Sequence, residues 1–341
     1  MPQFSILIPV YNADEYIRKC LDSIINQSFG DFEVVLLDDG STDGSNMVMK
    51  EYANIDSRFR IYEQDNKGIF PARYFLMQKA KGNYVIFCDA DDWLRQDALE
   101  IINNILVKFQ ADLVLFNHYK VSTKKNEEVI TEEPFIKGKS EFVDKKFIVK
   151  QLLTSFSLNQ LWNKTVKREL IDVKKYKDYL HIIHGEDLII SLPWLFTASK
   201  VYYLRDSLYF YRRSDNGTSL TSKIIPYRFR VLNETRSIML EYVKDYITAD
   251  DIKVFANFYY FSVCYCLPDI ILGITDRKKI VDIFDEIKNA DIYITLRKYA
   301  AFNVLPFRFR IQLILLENGK YSLLILFEKM LGEYRKKLKN I

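Results

Sequence analysis

The chain has 341 residues, 49% of them hydrophobic and 28% charged, with only 11 Gly and 8 Pro. That length exceeds one usual domain, and that balance buries a core, which excludes disordered, collagen-like and low-complexity chains. Lys and Arg number 49 against 45 Asp and Glu, a net +4, and Lys320–Ile341 alone holds six basic and two acidic residues; the near-neutral remainder is not the footprint of a nucleic-acid binder.

Phe4–Val10 is an apolar run with β-branched residues and predicts a buried strand. Tyr11-Asn12-Ala13-Asp14 breaks it. Ile17, Leu21, Ile24 and Ile25 recur at helical spacing and predict a helix stopping near Gly30. Phe32–Leu37 predicts a second buried strand, ending in Asp38-Asp39-Gly40-Ser41-Thr42-Asp43. A helix follows over about 45–53, a short strand over 60–64, and a helix over 72–80 that stops at Gly82. Tyr84–Cys88 predicts another strand, ending in Asp89-Ala90-Asp91-Asp92. Ala98, Ile101, Ile102, Ile105, Leu106 and Phe109 mark the next helix, and 112–117 the next strand.

This alternation predicts an α/β fold: a mostly parallel sheet with helices on both faces. Ligands of such sheets bind beyond the carboxyl ends of the strands. Tyr11 and Asn12, then Asp38 and Asp39, then Asp89, Asp91 and Asp92 stand at three strand ends, so carboxylates converge on one rim. Clustered carboxylates repel unless a cation sits among them. Asp91, with Asp89 two residues away, offers hard oxygen ligands suited to Mg²⁺ or Mn²⁺ on a diphosphate. An Asp after a strand is also a turn former or helix cap, but two such clusters on one sheet favour the metal. Neither GxGxxG nor GxxxxGK[ST] is present. A nucleotide would therefore be held by other means, such as the aromatic face of Tyr11, the Asp39 carboxylate on a base N–H and a metal on the phosphates.

Residues 121–133 predict an exposed charged hairpin, and 145–155 a helix leading to Trp162, an acceptor platform or a core anchor. His181 and His184 flank Gly185-Glu186-Asp187 and read as acceptor-side or structural. Tyr209–Arg213 predicts a strand entering a polar loop, Ser214–Ser219. Beyond a boundary near 222 the pattern turns helical. In the last helix Leu323, Phe327, Met330, Leu331, Tyr334 and Leu338 form one stripe beside Arg335, Lys336, Lys337 and Lys339. Such a helix suits an anionic membrane surface, or packs with a solvated basic end. The run Val254–Pro268 reads as too short and too polar to span a bilayer. Four Cys without CxxC or zinc spacing, and a strand-like start, predict a cytoplasmic protein without a secretory leader. The apolar helical appendage is also compatible with a homodimer.

Pro9-Val10-Tyr11-Asn12, Asp38-Asp39-Gly40-Ser41-Thr42-Asp43 and Asp89-Ala90-Asp91-Asp92, at these separations, resemble family 2 glycosyltransferases of the GT-A fold. The third element is similar to their DxD motif, and Lys67-Gly68, Ala72-Arg73 and Ala80-Lys81-Gly82 are similar to the connector between motifs. Leu161-Trp162-Asn163-Lys164 and Gly185-Glu186-Asp187 resemble the capsule, lipooligosaccharide and teichoic-acid branches. The resemblance covers about 1–220. It implies a catalytic domain over 1–222, with a nucleotide-sugar half to about 118 and an acceptor half from 119, and a helical region over 223–341.

The resemblance also implies roles. Pro9, Tyr11, Asp39, Arg73, Asp89, Ala90 and Arg212 would bind the donor, a UDP-sugar by family habit. Asp91 and Asp92 would hold Mn²⁺ or Mg²⁺. Asp187 would be the base that deprotonates an acceptor hydroxyl, inverting the sugar carbon. The acceptor would be a glycan or a lipid-linked glycan of a bacterial surface polysaccharide, at the cytoplasmic face of the inner membrane. Two alternatives stand beside it: a phosphohydrolase using Asp89 and Asp91, and an inactive glycan-assembly subunit.

Overall fold

The computed structural model describes residues 1–124, 127–134, 138–213 and 224–339. These fall into two compact units, one built from 1–148 and 156–219, the other from 149–155 and 220–341. The boundary expected near 222 and the loop Ser214–Ser219 lie outside the described residues.

Ten strands form one sheet among the described residues of the first unit. They are β1 (Phe4–Val10), β2 (Phe32–Asp38), β3 (Phe59–Glu63), β4 (Tyr84–Phe87), β5 (Trp93–Leu94), β6 (Leu113–Lys124), β7 (Glu127–Glu133), β8 (Glu141–Val143), β9 (Lys164–Lys167) and β10 (Val201–Arg213). Their order is β3-β2-β1-β4-β9-β6-β10-β5, with β7 on β6 and β8 on β10. The strands β3, β2, β1 and β4 are mutually parallel, so the Asp-bearing ends of β1, β2 and β4 share one rim. The strand β9 then runs antiparallel between β4 and β6. Sequence reading ends β6 at 117; the strand continues to Lys124 because β7 turns back along it.

Period-two alternation sorts the strand side chains between two helical layers. Ile6, Ile8, Val34, Leu36 and Ile86 share a core with Ile17, Leu21 and Ile24 of α1 (Asp14–Ile25) and with Leu99, Ile102 and Leu106 of α4 (Ala98–Phe109). Between these in the chain lie α2 (Ser45–Ile55) and α3 (Ile69–Lys79). The helix α3 packs over β1 and β2 and buries Phe70, Leu76 and Met77. It starts before Pro71, not after it, because a first helical turn tolerates proline. After α5 (Lys145–Thr154), helix α6 (Glu186–Thr197) stacks Trp194 on Phe87 of β4, rings 6.3 Å apart. Each fully buried Leu, Ile or Phe contributes about 1.5–3 kcal/mol.

The second unit contains α7 (Arg228–Val243), α8 (Ala249–Gly273), α9 (Arg277–Asn289), α10 (Asp291–Arg297), α11 (Phe307–Glu317) and α12 (Tyr321–Lys339). A capping box of Thr248 and Asp251 starts α8. The run Val254–Pro268 is part of this longer helix, which by length and composition could cross a membrane; 61% of its apolar stretch is buried, as in a core helix.

Gly82 sits where the chain re-enters the sheet beside β1. A Cβ there would lie 2.5 Å from the backbone of Phe4 and Ser5. Its N–H donates to Ser5 Oγ at 2.7 Å, and Ser5 donates to Glu33 at 2.6 Å. Gly82→Ala is expected to destabilise the protein by about 1–3 kcal/mol through this overpacking. Urea unfolding reads this as a lower midpoint at unchanged slope; an unchanged midpoint contradicts the close approach.

Candidate active site

The loops after β1 and β2 are tied together first. Asn12, at φ +49°, accepts the Thr42 N–H at 2.8 Å and donates its own N–H to Ser41 Oγ at 3.0 Å. Asp43 accepts from Asp14 N–H at the start of α1 and from Ser45 N–H at the start of α2, both at 3.0 Å. Asp38 accepts from Ser41 N–H and Asn46, both at 2.8 Å. Asp38 and Asp43 are therefore braces. Pro9 is buried within β1, and Tyr11 stands exposed on the rim.

Asp39 is buried and shapes the segment before α3. One oxygen accepts from Gln64 at 2.6 Å and Lys67 N–H at 2.9 Å, the other from Gly68 N–H at 2.9 Å. A carboxylate offers about four acceptor positions, so three bonds leave room for one more donor. Gly40, at φ +77°, is needed beside it, since a Cβ would meet Asn66 N at 2.7 Å.

The centre of the site is Arg73 of α3, 4% exposed. Its guanidinium donates to Asp89 at 2.8 Å, to Glu186 at 2.6 Å and to Asp187. Three carboxylates from two separate segments thus meet on one cation. Burial opposes the arginine's charge, but Asp187, Asp89 and Glu186 together hold it firmly protonated. The reverse imbalance governs the acids. Burial, then the Asp187 charge, pushes Glu186 up to about 8, although Arg73 opposes it. Burial pushes Asp187 up to about 6, against the pull of Arg73, with Asp89 adding to the rise. The two share one cation and titrate as a pair.

Asp91 and Asp92 play different parts. Asp92 is 1% exposed, and its oxygens accept from Arg212 N–H and from the Tyr209 hydroxyl, each at 2.7 Å. Tyr209 O in turn accepts the Asp89 N–H at 3.0 Å. With both oxygens engaged, Asp92 ties the end of β10 to the Asp89 turn, a bracing role that the metal-ligand expectation did not include. Burial, followed by the Asp91 and Asp89 charges, raises its pKa. Asp91 takes no hydrogen bond from another described residue; burial and the Asp89 charge push it up to about 6. A divalent cation fits here: it would relieve that repulsion through a hard oxygen ligand. No group of three or more protein ligands gathers among the described residues, so the cation's other ligands would be donor oxygens or water. Ala90, between them, is buried.

Arg212 approaches from β10. Its Nε donates to the Asp91 carbonyl at 3.2 Å, it pairs with Glu128 at 3.2 Å, and its guanidinium lies over the Trp93 and Tyr16 rings at 5.0 and 5.2 Å. Trp162 is a core anchor: it stacks on Tyr209 and Tyr211, rings 4.6 and 5.6 Å apart. His118 packs edge-on against it at 4.8 Å.

Two residues were given no role by sequence. Lys164 of β9 is buried, donates to the Gln160 carbonyl and, at 2.9 Å, to Asn163 Oδ1, and is pushed down to about 7 by burial, against the Asp187 charge. Tyr209 showed no signal, because its role depends on β10 meeting the Asp89 turn.

Residues 5–172 match the model of the family described as Glycosyl transferase family 2. The chain belongs to this family. It is 34% identical over 214 residues to the glycosyltransferase GlyA of Streptococcus pneumoniae serotype 4, covering 62% of this chain but only 30% of GlyA's length. It is 27% identical over 312 residues to the cholesterol galactosyltransferase of Borreliella burgdorferi, covering 87% of this chain and 86% of that one. Among solved structures, Staphylococcus aureus TarS 1–349 in complex with UDP-GlcNAc matches with TM-score 0.69 at 18% identity, over 98% of this chain and 92% of that one. This likeness shows the fold, the GT-A type of family 2 enzymes.

The contrast between Asp91 and Asp92 gives a stability prediction. Asp92→Asn leaves one of two buried donors without an acceptor and is expected to cost about 1–3 kcal/mol. Asp91→Asn removes an unpaired, repelled charge and is expected to leave the melting temperature unchanged or raised. Calorimetry on both variants checks the pair; the opposite ranking contradicts the brace.

Proposed function

We propose that this family 2 protein is an inverting, metal-dependent glycosyltransferase. It moves a sugar from a nucleotide-sugar, UDP-linked, to a hydroxyl of a glycan or lipid-linked acceptor in bacterial surface polysaccharide synthesis. The observation that carries the proposal is the Arg73 junction, which joins the Asp89 turn at the end of β4 to Glu186-Asp187 at the start of α6. A leaving-group site and a base are thereby held at fixed separation by one buried side chain.

Asp187 takes the proton of the attacking hydroxyl. It is the more exposed of the two α6 carboxylates, with a side chain 24% accessible against 10% for Glu186. Its raised pKa brings it close to the pH at which a base must work. Arg73 keeps it ionised and aimed. Attack opposite the leaving group inverts the sugar carbon. Asp91 would hold the divalent cation, which supplies charge neutralisation on the departing diphosphate. Arg212, already beside the Asp91 carbonyl, adds a second positive charge there. Asp39 has acceptor capacity for a base N–H, and Tyr11 offers an exposed ring to the base. UDP-GlcNAc is the nucleotide-sugar bound in TarS. The Borreliella burgdorferi relative, aligned over most of both chains, is named for a membrane lipid, cholesterol, which supports an acceptor at a bilayer. Four buried free cysteines suit a cytoplasmic setting.

Two measurements test this. Asp187→Asn is expected to lower kcat by about 10²–10⁴ while leaving donor KM nearly unchanged, because a positioned base acts only in the transition state. A parallel rise in KM with little loss of kcat would place Asp187 in binding. In a thermal-shift panel of UDP-, GDP-, CMP- and dTDP-sugars with Mn²⁺, saturation at about 100 times Kd is expected to stabilise by about 2.7 kcal/mol. That shift should appear with a UDP-sugar, need the metal and vanish in Asp91→Asn. A metal-independent shift, or none on folded protein, overturns the donor reading.

A further inference from the structure

We propose that α11 and α12 of the second unit form a docking face for an anionic lipid bilayer. The proposal does not rest on the catalytic reading. Sequence reading places one apolar stripe on α12; the structure divides it. Leu324 and Glu328 are buried, with Phe327 and Leu331 half-buried, on the side that packs against α11. Glu328 accepts from Arg308 and from Gln312 of α11, both at 2.7 Å, which pins that side. Leu323, Leu326 and Met330 then face outward at i, i+3 and i+7, exposed by 51%, 55% and 63%. The helix is thus already docked by one side and still presents an apolar band on another. The neighbouring helix adds Phe307 and Ile314, both exposed and seven residues apart on one side of α11.

Charge selects the occupant. The only acids from Lys320 onward are Glu328 and Glu333, and Glu328 is engaged inside with Arg308. Against them stand Lys320 and Lys329, both exposed, and further along the sequence Arg335, Lys336, Lys337 and Lys339. A second copy of the chain meeting this face about a two-fold axis would bring these like charges together, and protein interface cores are depleted in lysine. An apolar band bordered by lysines fits the boundary between acyl chains and anionic headgroups.

Co-sedimentation of the full chain with vesicles tests the proposal. Binding is expected to vesicles containing phosphatidylglycerol, to weaken as salt rises, and to be far weaker on pure phosphatidylcholine. Leu326→Asp with Met330→Asp is expected to lower vesicle affinity about tenfold or more, and Lys336→Glu with Lys337→Glu to remove the anionic preference. None of the four residues is among those assigned to the active site, so melting temperature and the metal-dependent donor shift should not change in either variant. Absence of binding to phosphatidylglycerol vesicles overturns the proposal, as does parental affinity in the Asp variant. A parent that is dimeric in solution while the Asp variant is monomeric assigns the face to a second copy, and overturns it too.

Discussion

One guanidinium carries three carboxylates in this protein. Arg73 is buried, so water cannot screen it, and Asp89, Glu186 and Asp187 all converge on it. A single positive charge cannot hold three buried or half-buried carboxylates fully ionised, and the two α6 acids respond with raised pKa values. That frustration is the useful property. In the proposed reaction it brings Asp187 close to the pH at which a base works, and the Asp89 charge leaves Asp91 suited to a cation.

The fold supplies the convergence. Parallel strands β1, β2 and β4 deliver their carboxyl ends to one rim, and the loops beyond them brace each other through Asn12, Asp38 and Asp43. The antiparallel insertion of β9 beside β4 brings Lys164 close enough to Asp187 for their charges to interact. The end of β10 closes the other side, where Asp92 joins Tyr209 and Arg212 to the Asp89–Asp92 turn. The braces through Asp38 and Asp92 use hydrogen bonds to buried carboxylates, so their loss leaves an unsatisfied donor rather than a solvated one.

Much of this was legible in the sequence because strand–helix alternation is strongly periodic and its strand ends are marked by Asp. The parallel core and the rim follow from that pattern alone. What sequence could not separate were adjacent carboxylates. Asp91 and Asp92 are equivalent as letters, but in the turn between β4 and β5 Asp92 alone meets the Tyr209–Arg212 contact. Trp162 was similarly ambiguous until its stacking on Tyr209 and Tyr211 placed it in the core. Arg73 was expected at the donor, and the structure shows it reaching Asp187, a contact across more than a hundred residues that no local pattern encodes. On α12, periodicity marked an apolar stripe but could not say that Leu324, outside it, would be buried and Leu323 exposed.

The central claim is that Asp187 acts as the base within a charge cluster shared with Arg73 and Glu186. The most direct test is the pH dependence of kcat at saturating donor and Mn²⁺, for the parent and for Glu186→Gln. Because a base works deprotonated, the parent rate should rise with pH through a midpoint near 6. Glu186, pushed up to about 8, is protonated at that pH, so Glu186→Gln should leave the midpoint in place. A flat profile between pH 5 and 8, or a midpoint that Glu186→Gln shifts, would contradict the account.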